Sequence, residues 1–140
     1  YNFRFTDLHA SLGLVQLANV SERIENINKI YCKYRDALKE IDWIKLIPVH
    51  IEEGEVPLYV EVLIEEREIF MKYLASKNIQ TRAIYPDLDS AKHLNCREDY
   101  PNAKVFGKQG LVLPCGPDQP IENIDVVIRT LKQFGENTLC

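Results

Sequence analysis

Hydrophobic residues recur at helical spacing over the first forty residues of the chain. Thr6 precedes the first of these residues, and a threonine in that position caps a helix because its hydroxyl accepts a hydrogen bond from a free backbone N–H. We expect a capped, half-buried first helix, in which Gly13 allows the close approach of another backbone. Residues 19–22 interrupt the pattern. A second apolar stripe predicts a long amphipathic helix to about Glu40. The residues of this stripe are Ile24, Ile27, Tyr31, Tyr34, Leu38 and Ile41.

The remainder of the chain alternates between predicted strands and helices. Strands or extended segments are predicted at residues 43–49, 56–64, 79–85 and 110–113, and the second buries one face that includes Leu58. A helix at 65–77 is predicted to bury Ile69 and Phe70, with Asn78 in a left-handed conformation at its end. Short helical segments are expected at 91–94 and 102–106. A last helix begins near Pro120, and residues 135–140 form a frayed tail.

This order of elements predicts one α/β domain with a small mixed or antiparallel sheet and helices on one face. The length of 140 residues and the hydrophobic content of 46% fit a single domain with its own core. A net charge of −4 without a basic cluster argues against nucleic-acid binding. No apolar run reaches the length of about 20 residues that spans a membrane, and the N-terminus lacks a signal pattern. We therefore expect a soluble, cytoplasmic protein.

Four cysteines and three histidines are spaced too widely to predict a metal site. From the residues alone, we interpret the cysteines as reduced, structural thiols. We expect Cys115 to be the exposed one, because it lies in a turn between Pro114 and Gly116.

The opening segment resembles the signature of the DegT/DnrJ-type sugar-nucleotide aminotransferases, which use pyridoxal phosphate (PLP). Three later segments resemble family elements in the same order, at residues 78–86, 100–103 and 110–114. The resemblance thus extends over roughly residues 1–134. The signature positions present are Tyr1, Asn2, Phe3, Arg4, Phe5, Thr6, Leu8, Ala10, Gly13, Gln16 and Leu17.

The resemblance implies the small C-terminal domain of a fold-type-I PLP enzyme, because this signature lies past the middle of the family's chains. Residues 1–42 then form interface and linking helices, residues 43–134 the small α/β domain, and residues 135–140 a tail. The large domain with the PLP-binding lysine is absent from this chain, whose ten lysines all lack a matching context. The resemblance implies no catalytic residue here and an incomplete PLP site. We expect the chain to be inactive by itself.

The implied activity of the full-length protein is the transfer of an amino group from an amino-acid donor to a keto-sugar nucleotide, in a homodimer. By resemblance, Asn2 reaches the cofactor phosphate from the neighbouring subunit, and Arg82 and Tyr85 bind the substrate. From the residues alone, Asn2 fits a turn residue, and Arg82 fits a strand-end arginine paired with a surface acid. Two alternatives stay open: a PLP-dependent sugar dehydratase of the same family, and a non-catalytic binding or regulatory domain.

Overall fold

The computed structural model describes residues 4–94 and 98–138, which form helices, strands and short 3-10 turns. Two helices come first, and strands and helices then alternate along the chain. No helix in these ranges is long and apolar enough to cross a membrane. The elements are α1 (Asp7–Ala18), α2 (Val20–Leu38), β1 (Ile44–Leu46), β2 (Val60–Ile64), α3 (Arg67–Ser76), β3 (Arg82–Ala83), α4 (Pro101–Gln109), β4 (Gly110–Leu113) and α5 (Ile121–Thr138).

The four strands form one antiparallel sheet in the order β1-β2-β4-β3. Alternate residues of β2 point to the same face, and Val60, Val62 and Ile64 are the buried ones. They belong to one core cluster with buried residues of α2, α3 and α5. The predicted α/β fold with a small antiparallel sheet is therefore confirmed.

Two tyrosines of α2 tie the helix to the sheet and its loops. The Tyr34 hydroxyl donates to the Pro114 carbonyl at 2.9 Å. The Tyr31 hydroxyl donates to the Ile47 carbonyl at 3.1 Å and accepts from the Val49 N–H at 2.8 Å. Both rings are fully buried. The second helix is thus part of the same core as the residues after position 43.

The first helix begins as predicted, because the Thr6 side chain accepts from the His9 N–H. It ends at Ala18, and α2 begins at Val20, so the predicted interruption is present. None of its residues is buried, however, and a Cβ added at Gly13 would meet nothing within 4 Å. The expected close backbone approach does not occur within the described chain, and the large apolar side chains of this helix are exposed.

The last helix continues to Thr138, beyond the predicted end of the ordered domain at residue 134. Trp43 explains why, since its ring packs against Phe70 and Phe134 with centroids 5.4 and 5.3 Å away. A Cβ at Gly135 would lie 2.5 Å from the indole Nε1 of Trp43. The helix is therefore packed closely at Gly135, the first residue of the predicted tail.

Three predictions of strand length and burial were also wrong. Leu58 is 79% exposed because β2 begins only at Val60, two residues later. Ile69 is 52% exposed, since the buried face of α3 is set by Phe70 and Leu74. The predicted strand at 79–85 pairs only over Arg82–Ala83.

Candidate functional site

Arg82 and Tyr85, the two predicted substrate-binding residues, lie together at the β3 edge of the sheet. The Arg82 guanidinium carbon is 4.7 Å from the centroid of the Tyr59 ring and 5.9 Å from that of Tyr85. Cation–π contacts of this kind hold an arginine side chain in place and leave its N–H groups available. The structure thus adds Tyr59 to the pair that the sequence resemblance indicated.

The charge of Arg82 is not balanced by a carboxylate in the described chain. No salt bridge to it exists among residues 4–94 and 98–138, and the interaction with the Tyr59 side chain raises the pKa of its guanidinium. Glu61 and Arg82 both stand in register with Val112, which places them two strands apart, at about 10 Å. The pairing with a surface acid that the sequence left open is therefore not seen, and Arg82 presents a permanent cation.

Two backbone features place Arg82 at this edge: a left-handed residue at Asn78 and a glycine at position 110. Asn78 has a φ of 59°, as predicted, and turns the chain at the end of α3 so that the Ile79 N–H donates to the Leu74 carbonyl. On the far side of β3, the Ile84 N–H donates to the Gly110 carbonyl at 2.9 Å. A Cβ at Gly110 would lie only 2.7 Å from the Ile84 Cδ1 atom. The absence of a side chain at Gly110 is what lets β3 and β4 approach at this point.

Beside Arg82 lies an open groove with a volume of about 610 Å³. Its walls come from the end of α3, β3, the end of β4 and the beginning of α5. Asn123 of α5 and Gln119, two residues before this helix, had no signal in the sequence, because they meet β3 only through the fold. We call this cavity the Arg82 groove.

Cys115 lines the Arg82 groove but is 8% exposed, so the expectation of an exposed thiol was wrong. Its sulfur accepts a hydrogen bond from the Val60 N–H at 3.3 Å. Burial raises the pKa of the Cys115 thiol above its usual value, which keeps it protonated and unreactive near neutral pH. Cys115 does follow the end of β4, outside the regular elements, but the β2 backbone covers its sulfur.

The lysines of the described residues lie in environments unlike that of an activated lysine. A lysine that carries PLP requires a desolvated pocket or a neighbouring cation to activate its amine. Nine of the ten lysines are exposed, and Lys33 is half-buried and paired with Asp125 at 2.7 Å. Asn2, the predicted contact to the cofactor phosphate, lies outside the described residues.

Comparison with known proteins identifies relatives of this chain. GDP-perosamine synthase from Escherichia coli O157:H7 is 29% identical over 96% of the chain and 37% of the relative. A dTDP-3-amino-3,6-dideoxy-alpha-D-galactopyranose transaminase from Aneurinibacillus thermoaerophilus is 26% identical over 96% of the chain and 38% of the relative. The chain thus spans somewhat more than a third of the length of these two enzymes.

The fold agrees with solved structures. The sugar aminotransferase Spr1654 from Streptococcus pneumoniae, in its PLP form, is 25% identical and matches with a TM-score of 0.80. The match covers 95% of this chain and 36% of the Spr1654 chain. The sugar aminotransferase CalS13 from Micromonospora echinospora matches the fold over 95% of the chain with a TM-score of 0.85 at 19% identity. The DegT/DnrJ/EryC1/StrS aminotransferase family matches residues 1–132, and the chain belongs to this family.

Proposed function

We propose that this chain provides the substrate side of a PLP-dependent aminotransferase that acts on a keto-sugar nucleotide. The observation that carries the proposal is the unbalanced Arg82 cation, held between Tyr59 and Tyr85 in a chain of this family. A guanidinium whose N–H groups are not occupied by a carboxylate suits the phosphate oxygens of such a substrate. The two relatives named by their sugar-nucleotide products support this substrate class.

Each predicted residue has a separate task in this proposal. Arg82 binds and orients an anionic group of the substrate, and Tyr85, which is 78% exposed, closes over it. Asn2 donates a hydrogen bond to the cofactor phosphate from the neighbouring subunit of a homodimer. PLP, when bound, supplies the electron sink for amino transfer. Its lysine and the acid beside its ring come from residues that this chain does not provide.

The test is a transamination assay of the protein that the complete gene encodes, with PLP, glutamate and a panel of keto-sugar nucleotides. Arg82→Gln should lower kcat/KM by roughly ten- to a hundredfold, because a charged phosphate contact of roughly 1.5–3 kcal/mol is lost. Arg129→Gln is the matched control, since Arg129 is exposed on α5 and does not line the Arg82 groove. Equal activity of the two variants would remove Arg82 from the site. Water elimination without amino transfer would identify the dehydratase instead.

Two further measurements separate the cofactor from the substrate. Asn2→Ala should weaken PLP retention by about 1–2 kcal/mol, the scale of one hydrogen bond to a charged group. Sedimentation should show a dimer of the active protein. The 140-residue chain by itself should show no aldimine absorbance with PLP, and a borohydride-trapped adduct at one specific lysine together with turnover would contradict the proposed division of the site.

A further inference from the structure

A second groove, with a volume of about 510 Å³, lies at the end of the sheet away from Arg82. It is found where β2 ends and β4 begins, whereas the Arg82 groove is found where β4 ends. Its walls come from the segment between α2 and β1, the end of β2, and helices α4 and α5. This volume falls in the range of roughly 300–1,000 Å³ that is typical of ligand sites. We call this cavity the Trp43 groove.

The Trp43 ring forms a fixed apolar part of the wall. Its centroid lies 5.4 Å from that of Phe70 and 5.3 Å from that of Phe134. These contacts hold the ring in place, while the residue is only half-buried and lines the groove. Val105 of α4, which is 40% exposed, lines the same cavity. A rigid indole ring at the surface is a good stacking partner for a cation, and for a planar guanidinium in particular.

Three carboxylates line the Trp43 groove, those of Asp42, Glu65 and Glu66, together with the ammonium group of Lys45. None of these four side chains forms a hydrogen bond or an ion pair with the part of the chain that the structure describes. Glu66 stands at the N-cap position of α3, but its carboxylate does not cap this helix. The groove therefore has an excess of two formal negative charges beside an exposed aromatic ring.

The charged groups of another cavity show what balanced charges look like in this fold. In the cavity between α2 and the beginning of α5, Asp118 is paired with Arg23 at 3.2 Å and Lys33 is paired with Asp125 at 2.7 Å. These side chains neutralise one another within the chain. The carboxylates of the Trp43 groove have no such partner among the described residues, so a cationic ligand is complementary to them.

We propose that the Trp43 groove is a docking site for an arginine-containing segment of a partner protein. The guanidinium of the segment stacks on Trp43 and donates hydrogen bonds to the carboxylates of Glu65 and Glu66. Apolar side chains that flank this arginine contact Val105 and Leu63. Arginine suits the groove better than lysine, because its planar group can stack on a ring and form two parallel hydrogen bonds to a carboxylate.

This site is separate from the aminotransferase site of the proposed function. The two grooves share no lining residue. The Trp43 groove also lies beyond the end of α2, about 28 Å from the beginning of that helix, where α1 ends. A partner in this groove therefore contacts neither Arg82 nor the exposed apolar residues of α1.

Isothermal titration of the protein that the complete gene encodes tests the groove. The probe is a tetrapeptide of alternating leucine and arginine, capped at both ends. The same peptide with citrulline in place of arginine removes the charge and keeps the shape of the side chain. We expect the arginine peptide to bind at least about tenfold more tightly than the citrulline peptide. The double variant Glu65→Gln/Glu66→Gln should weaken binding of the arginine peptide by about tenfold, because two ion pairs are lost.

The double variant Glu22→Gln/Glu122→Gln is the matched control. It removes two exposed carboxylates outside the groove and changes the net charge of the protein by the same amount. This control should bind the arginine peptide as the unmodified protein does. Fluorescence adds a direct readout, since the arginine peptide should change the emission of Trp43 and Trp43→Phe should abolish that change. Circular dichroism verifies that each variant is folded.

Several outcomes would overturn the inference. They are absence of peptide binding, equal binding of the arginine and citrulline peptides, and equal effects of the two double variants. Binding of spermidine as tight as that of the arginine peptide would also overturn it, because a polyamine supplies charge without the apolar side chains of a protein segment. Each of these results leaves the proposed function standing, since that proposal is tested by the activity of Arg82→Gln.

Discussion

Replacement of Gly110 by alanine tests the junction that positions β3 and Arg82. The new Cβ would contact the Phe106 carbonyl oxygen and would lie 2.7 Å from the Ile84 Cδ1 and 2.9 Å from its Cβ. Phe106 cannot yield easily, because its carbonyl accepts the Gly110 N–H at the end of α4. Such overpacking costs about 1–3 kcal/mol, against a gain of about 0.4–1 kcal/mol from the less flexible unfolded chain. We expect a net loss of about 1–2 kcal/mol.

Urea unfolding followed by fluorescence measures this loss, since Trp43 is the only tryptophan of the chain and is packed in the core cluster of aromatic rings. Gly116→Ala is the control, because a Cβ there would meet nothing within 4 Å. It should leave the free energy of unfolding unchanged or raise it by up to about 1 kcal/mol. If Gly110→Ala were as stable as the unmodified chain, the close approach of α4, β4 and Ile84 would be refuted.

Three further predictions follow from other contacts. Arg67→Met should lower the free energy of unfolding by about 2–3 kcal/mol in urea titration, since the guanidinium donates to the Gly107 and Gly110 carbonyls at 2.8 and 3.2 Å; a loss below about 0.5 kcal/mol would contradict this. The raised pKa of Cys115 means that the unfolded thiol ionises first, near about pH 8.5, so stability should fall as the pH rises above that value. Cys115→Ala should reduce this fall, and an identical pH profile would contradict the assignment. Hydrogen exchange should be faster for residues 8–17 than for 27–38, because the apolar side chains of α1 are exposed; strong protection of α1 in a dilute monomer would show that the chain covers this helix.

Local rules explain which parts of the fold the sequence predicts well. The Thr6 cap, the interruption before Val20, the left-handed Asn78 and the strand at Gly110–Leu113 depend on residues close together in sequence. Their stereochemistry is set by the chain itself. The order of helices and strands follows from these signals and from the periodicity of apolar positions.

The errors come from contacts between distant segments. The β2 backbone covers Cys115, and Trp43 packs against α5 at Gly135. Neither contact has a signal in the nearby sequence. The helix α1 differs, because its sequence has the apolar residues of a buried helix but the described chain does not bury them.

The candidate site also combines residues that the sequence indicates with residues that only the fold brings together. Arg82 and Tyr85 came from the resemblance of residues 78–86 to a family segment, whereas their partner Tyr59 did not. The sheet order β1-β2-β4-β3 separates β2 from β3 by one strand, and Tyr59 reaches Arg82 only across that strand. The walls of the Arg82 groove likewise require the placement of α5 beside β3.

The hydrogen bond between Tyr34 and Pro114 also has a consequence for the rate of folding. It joins residues that are 80 positions apart, and the pairing of β2 with β4 joins residues on either side of α3, β3 and α4. Chains whose contacts are distant in sequence fold more slowly, because the ordering entropy of the intervening loop is lost before the contact forms. The second helix can therefore form its first turns early from local signals, but it reaches its final partners only after β4 is in place.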